Sequence, residues 1–573
     1  MTTVAPLPQD QIQRLQTSSQ LLQQGRREEA IALLRSLVRD APRLAQAQRL
    51  LGVALGEIND LLGAETAYRA ALAADPSMTA AVIGLAEVLR ILDRGTEAVD
   101  LLAPLVGPQT TDLGLLTYLG FALQSIGRWD EAAVWMEQAA RTSPQSGVAE
   151  HNLASSFGDL SRVEESEAAA RRAFAKGLDA PETWLVLARA LHGQGRPEEA
   201  QAAYREVLSR RPDYPDALYD LAREAWTRTG SLEAAEAQID PAIARNPDNP
   251  FLLVYKAKVQ EFGGASEAAL ETLERASRIS ADAMVLMPAA QLAVKTDPLQ
   301  ALEYAQRAFA VRPDNYGVIA TLAQVRLALG RPAEAAGLVE ILTERQPWDQ
   351  YALALLATCW RLNGDARYRE LYDYDAFVRT YRLEPPPPWT SLEAFLADVA
   401  DELEPLHPFK AHPVGQSVRF GSQTLTDLKH AQTPALKGML QALDAPIRTY
   451  LKDLGPAQDP LRRRITGGYR FDGVWSVRLR PGGFHVDHVH HRGWISSACY
   501  VQTPAAVNQG REGWLKFGEP GIATEPPLEA ERFERPEPGK LVLFPAYMWH
   551  GTVPFTGEDP RLSIAFDVLP AAL

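Results

Sequence analysis

Cysteine is nearly absent: Cys359 and Cys499 are the two in 573 residues. A fold stapled by disulfides is therefore excluded, and two buried thiols in a reducing compartment are expected. Long apolar runs are missing too, since none approaches the ~18 residues of a membrane span. The opening Met1-Thr2-Thr3-Val4-Ala5-Pro6 lacks the basic and apolar regions of a signal peptide. A cytoplasmic location without membrane contact is expected. Basic charge is also in deficit, with 58 Lys and Arg against 72 Asp and Glu and a formal net charge of -14. That balance argues against a nucleic-acid partner, which calls for a basic face.

What the chain does have is repetition. The unit 45–76 carries Leu51-Gly52, Gly63-Ala64, Tyr68, Ala71 and Pro76. The pattern returns in 181–212 as Trp184, Ala188, Gly195, Ala200, Tyr204 and Pro212. It recurs in 316–347 as Leu322-Ala323, Gly330, Ala335 and Pro347, and in 113–146 as Leu119-Gly120, Gly127, Ala132, Ala139 and Pro144. Weaker units fill 11–44, 79–112, 147–180, 215–248, 250–280 and 282–313. A period of about 34 residues with small residues at fixed places resembles the tetratricopeptide repeat. Each unit then reads as two antiparallel helices. Gly52 or Ala188 permits close approach, Ala64 or Ala200 sits at the crossing, and Pro76 or Pro212 stops the second helix. Gly127-Arg128, Gly195-Arg196 and Gly330-Arg331 mark turns between helices. About ten units, closed by a lone helix near 350–362, predict an all-α solenoid over residues 1–365. The resemblance implies a protein or peptide partner on its concave face.

The repeat pattern ends after Gly364, and Glu384-Pro385-Pro386-Pro387-Pro388-Trp389 cannot be helical. A junction over 366–390 and a second domain over 391–573 are expected. Ser391 is placed to cap a helix over 392–404, and another is expected over 435–454. From Tyr469 onward, alternating segments at 474–479, 494–501, 514–517, 540–544 and 562–568 read as strands punctuated by Gly and Pro. Short strands at this spacing predict an α+β domain with a double-stranded β-helix, or jelly-roll, core.

Four of the ten histidines fall between Gly482 and Trp494: His485, His488, His490 and His491. His550 follows sixty residues after His490, and then Arg561-Leu562-Ser563. Two ligands close in sequence plus a distant His suit a non-haem iron site. Ligands two residues apart on extended chain face the same side. The order of these elements over 469–570 resembles the iron(II)- and 2-oxoglutarate-dependent oxygenases. Within them it is most similar to bacterial members with His-x-His followed about ten residues later by a strand tyrosine, here Tyr500. The pairing of repeats with such a domain also resembles, more loosely, aspartyl/asparaginyl β-hydroxylase.

The resemblance implies Fe(II) on His488, His490 and His550, with 2-oxoglutarate as co-substrate and O2 as oxidant. Arg561, Ser563 and Tyr500 would bind the co-substrate, and no catalytic residue beyond the metal centre is implied. His485-x-Asp487 supplies the superfamily's more usual His-x-carboxylate pair literally, while register against Tyr500 favours His488 and His490. Both pairs stay open at this point. Trp475, Trp494, Trp514 and Trp549 are expected in the core, and His491 and Arg492 in a solvated turn. The leading function is hydroxylation of a protein or peptide recruited by the repeats. The alternatives are an interaction scaffold with a degenerate metal-binding barrel, or a small-molecule oxygenase.

Overall fold

The computed structural model describes residues 8–572. Twenty helices, from Gln9–Gln23 to Pro332–Arg345, follow one another in ten consecutive pairs, and Gln350–Asn363 closes the series. The chain divides into two compact units, Met1–Leu191 and His192–Leu573.

In the first unit, small residues set how closely helices pack. The Tyr68 ring, 6% exposed, wedges between Gly52 and Gly84. A Cβ on Gly52 would lie 2.9 Å from that ring, and one on Gly84 closer still. Met136 fills the same role against Gly120. At Gly127 the turn between helices needs a left-handed residue, with φ at 76°. Arg128, just beyond it, reaches Glu131 at 2.6 Å, an exposed pair worth little in net stability. The second helix of the unit 45–76 ends at Ala74, two residues before Pro76.

The second unit opens with more helix pairs and then changes to strands. These are β1 (Arg379–Arg382), β2 (Val418–Gln423), β3 (Gly467–His485), β4 (Ile495–Gln502), β5 (Leu515–Phe517), β6 (Arg532–Glu534), β7 (Lys540–Pro545), β8 (His550–Thr552) and β9 (Arg561–Ala572). One antiparallel sheet runs β1-β7-β4-β9-β3-β2 and a smaller one β6-β5-β8. A bridge between His488 and His550 lays the histidine turn alongside β8. From β3 onward, the chain therefore alternates between the two sheets in short excursions, the winding of a double-stranded β-helix. The alternating segments of the sequence fall on β3, β4, β5, β7 and β9. The three-residue strands β6 and β8 fall outside those segments. β1 and β2 lie upstream of Tyr469 and extend the larger sheet at its two edges.

Two helices flank the sheets. Leu392–Leu403 is capped by Ser391, whose Oγ accepts from the Ala394 N–H at 3.2 Å. With Pro434–Leu454 it buries Phe395, Val399, Leu443 and Ile447 in one core with Trp494, Phe517, Phe544 and Phe566. Leu353 and Ala354 of the closing helix join that same core. Cys359 and Cys499 are free and buried. No helix among the described residues is long and apolar enough to cross a membrane.

Candidate metal centre

Three imidazoles from the sequence prediction meet. His488 and His490 leave the turn after β3, and His550 opens β8. One donor atom from each lies within 4.8 Å of the others, and among the described residues no other His, Cys, Asp or Glu joins them. His550 is buried and the other two are half-buried.

The Nδ1 partners fix which nitrogen of each ring is free. His488 Nδ1–H donates to the Val486 carbonyl at 2.8 Å, and His550 Nδ1–H to the Met548 carbonyl at 2.9 Å. His490 Nδ1–H donates to the Asp567 carboxylate at 2.7 and 2.8 Å. A neutral imidazole has one N–H, so each Nε2 is left with an unprotonated lone pair. His488 Nε2 and His490 Nε2 stand only 3.2 Å apart. Two acceptors at that distance repel unless a cation lies between them. Burial pushes the His488 imidazole down to about 3 and drives His550 well below its ordinary value. A proton is thus disfavoured on His488 and His550, and the set of three imidazoles fits a divalent transition metal.

The other histidine pair is not assembled. Asp487 makes an ion pair with Lys516 at 2.8 Å, and Lys516 also holds Glu519 at 2.5 Å. His485 Nδ1 is hydrogen-bonded to Ser417 Oγ at 2.9 Å, and its ring lies alongside His488 at 5.8 Å. Backbone alternation cannot reveal this, because Lys516 comes from a different strand.

Trp549, next to His550, is held from the helical side. Its Nε1–H donates to Thr358 Oγ1 at 3.0 Å, and its backbone N–H donates to the Tyr372 hydroxyl at 3.0 Å. The last helix of the repeat series therefore fixes the strand that carries a metal-site histidine.

Register brings the remaining candidates together. Leu479 of β3 faces Arg561 of β9, and Tyr500 of β4 faces Ser563. Arg561 is 2% exposed, and its guanidinium lies 4.9 Å from the Tyr500 ring centroid. It donates to the Gly513 carbonyl at 3.0 Å and to Thr552 Oγ1 at 3.1 Å, while Nε has no partner. No carboxylate among the described residues pairs with it. A buried guanidinium without an acid is costly, and its free donors fit a carboxylate ligand. The buried Tyr500 hydroxyl is likewise unpartnered, and Ser563 Oγ has only a 3.5 Å contact to the Val477 carbonyl.

One cavity of about 710 Å³ is lined by His488, His490, His550, Arg561 and Ser563. Leu515 and Phe544 give it an apolar floor. Trp475, expected in the core, packs against a core cluster and also lines this cavity, with its ring 5.7 Å from that of His490. Trp494 and Trp549 are buried as expected, at 1% and 4% exposure. Trp514 is half-buried. His491 is exposed in a bend, as expected, while its ring packs on Tyr351 at 4.7 Å and lines the cavity. Sequence reasoning missed Asp567 because its partner lies 77 residues away.

Comparison with known families now joins this geometry. A family described as "Putative 2OG-Fe(II) oxygenase" matches residues 473–567. Tetratricopeptide-repeat families match 17–78, 54–109 and 151–215, and 191–258 and 295–359. The chain carries tetratricopeptide repeats followed by a segment of that oxygenase family. No curated protein matches the sequence. Among solved structures, yeast Tom70 is similar at 12% identity over 64% of this chain and 92% of its own, with a TM-score of 0.37. MamA from Desulfovibrio magneticus RS-1 is similar at 19% identity over 30% of this chain and 95% of its own, with a TM-score of 0.26. Likeness of that size carries no argument about partners.

Proposed function

We propose that the chain is an Fe(II)- and 2-oxoglutarate-dependent dioxygenase that hydroxylates a protein or peptide recruited by its repeats. The observation that carries this is the shared cavity, in which three imidazoles converge near a buried arginine lacking an acid. The working parts are the repeat array at 1–365, a junction at 366–390 and the oxygenase-like domain at 391–573. A cytoplasmic setting suits the two free thiols.

His488, His490 and His550 would hold the iron. Iron with 2-oxoglutarate and O2 supplies a two-electron oxidation that yields succinate, CO2 and one inserted hydroxyl. Arg561 would pair with the remote carboxylate of 2-oxoglutarate, and the Ser563 and Tyr500 hydroxyls would hydrogen-bond the same molecule. Leu515, Phe544 and Trp475 keep the reacting volume poor in water. Asp567 orients His490 and, through the charge-assisted bond, raises the donor strength of its Nε2. The Asp567 carboxylate would thus stand behind His490, on the side of the ring away from Nε2.

Purified protein with Fe(II) and O2 should convert 2-oxoglutarate to succinate once a substrate peptide is present, and His550→Ala should abolish the conversion. Arg561→Ala should weaken 2-oxoglutarate binding about a hundredfold, roughly 3 kcal/mol, while Mn(II) binding by calorimetry is retained. Equal binding of metal and 2-oxoglutarate by wild type and both variants would sink the assignment. Turnover of a free metabolite at a rate independent of the repeats would favour a small-molecule oxygenase.

A further inference from the structure

Helix Pro250–Phe262 carries Phe251, Tyr255, Lys258 and Phe262 at i, i+4, i+7 and i+11, which is a single stripe. Its C-terminal end reaches the reaction cavity, since Phe262 is part of the lining. The other end is open, with Phe251 42% exposed. Between them, Tyr255 stacks on Tyr219 with centroids 4.6 Å apart and planes 14° from parallel.

Two cations lie along this stripe with no carboxylate in hydrogen-bonding contact, Lys258 on the helix and Arg419 from β2, although Asp216 and Glu261 are near Lys258. Lys258 Nζ is 5.3 Å from the Tyr255 centroid and 5.9 Å from that of Tyr219, and has no hydrogen bond or ion pair among the described residues. The carboxylates around it are taken. Asp216 accepts from the Tyr255 hydroxyl, and Glu261 is paired with Lys295 at 3.1 Å. The Arg419 guanidinium lies 5.1 Å from the Phe262 ring and also lines the cavity. It donates only to the backbone carbonyls of Gln416 at 2.8 Å and Val418 at 2.9 Å. Half-burying two cations without a carboxylate costs free energy that contact with aromatic faces, about 0.5–2 kcal/mol each, only partly offsets. Their remaining N–H donors are available to an anionic ligand.

We propose that this stripe is the approach path of the substrate, an extended acidic peptide whose carboxylates pair with Lys258 and Arg419 while a neighbouring residue enters the cavity. The inference rests on the cavity being the reaction site. Lys258 and Phe262 are one helical turn apart, about 6 Å, which an extended peptide spans in about two residues. The acidic side chains would therefore lie within a few positions of the modified residue. A nucleic acid is a poorer fit, because it carries a phosphate at every nucleotide, whereas a peptide can place carboxylates at Lys258 and Arg419 and neutral residues beside Asp216 and Glu261.

The test pans a bead-displayed library of random peptides, about twelve residues long, against the full chain and sequences what is retained. Wild type should enrich Asp and Glu, and Lys258→Met with Arg419→Met, which keeps the apolar stems, should bind those peptides about tenfold more weakly. Lys258→Glu with Arg419→Glu should switch the enrichment to Lys and Arg; if that variant does not fold, the methionine pair decides. His550→Ala should keep the acidic preference, so loss of turnover with the preference intact counts against the oxygenase proposal and not against the path. No acidic enrichment on wild type would overturn the path, as would enrichment unchanged in a methionine pair that melts like wild type. A thymidine dodecanucleotide displacing the retained peptides at a lower concentration than a glutamate-rich dodecapeptide would overturn it in favour of a nucleic-acid partner.

Discussion

The first unit and the second solve the problem of close packing in opposite ways. In Met1–Leu191 the contacts are local and repeated, so Tyr68 against Gly52 has a counterpart in Met136 against Gly120. Each repeat touches its neighbours, and no single residue is indispensable to the whole. In His192–Leu573 the decisive contacts occur once and join distant positions. His490 meets Asp567 across 77 residues, and Trp549 meets Thr358 across 191. Redundancy gives an extensible scaffold, whereas singular long-range contacts give a site placed to fractions of an ångström.

That contrast can be broken at Asp567. Asp567→Asn should lower Mn(II) affinity by about 10–100-fold, measured by calorimetry, because the bond that orients His490 loses its charge. Unchanged affinity would show that the turn alone places His490. The mirror experiment is Gly52→Leu in the first unit. Its side chain has to displace the Tyr68 ring, at a cost of about 1–3 kcal/mol in urea unfolding, with Mn(II) affinity unaltered. An effect of Gly52→Leu on metal binding would mean that the two units are energetically coupled.

The smallest effect sharpens the comparison through pH. Seven histidines of the second unit are held below their ordinary value by burial, among them His407 at about 4 and His488 at about 3, against His151 alone in the first. A depressed folded value means that the unfolded chain takes up protons first as pH falls below about 6.5. Stability present above that pH is lost progressively towards the folded values. Asp487, raised by burial to about 6, and Asp472, raised by the same cause, work in the opposite sense and gain stability as pH falls, but they are two groups against seven. Metal-free protein should lose more stability in the second unit than in the first between pH 7 and pH 5, read as separate urea transitions. An equal loss in both would contradict it.

Much of this was legible in the sequence because it is periodic. The turn glycines, the small residues at helix crossings and the prolines after second helices recur every 34 residues or so, and periodicity survives the absence of any structure. The longer strands were legible through alternation, and Ser391 as a helix cap through its side chain. β6 and β8 were not legible as strands, although β5, also of three residues, was. Trp475 packs against a core cluster, as expected, and its second role as cavity lining was not legible, because the two look alike in one dimension.

By itself the sequence determined the two architectures, the ten helix pairs and the group of residues from which a metal site would be drawn. Between His485-x-Asp487 and His488-x-His490, pairs of the same spacing, it offered only the register against Tyr500, which favours the second. Tertiary structure brings the second pair together with His550 and supplies partners from elsewhere. Lys516 draws Asp487 away, while Val486, Asp567 and Met548 take the Nδ1 protons of the three rings and turn their Nε2 atoms to a common point. A ligand set is a property of where side chains end, and that depends on residues that no local motif contains.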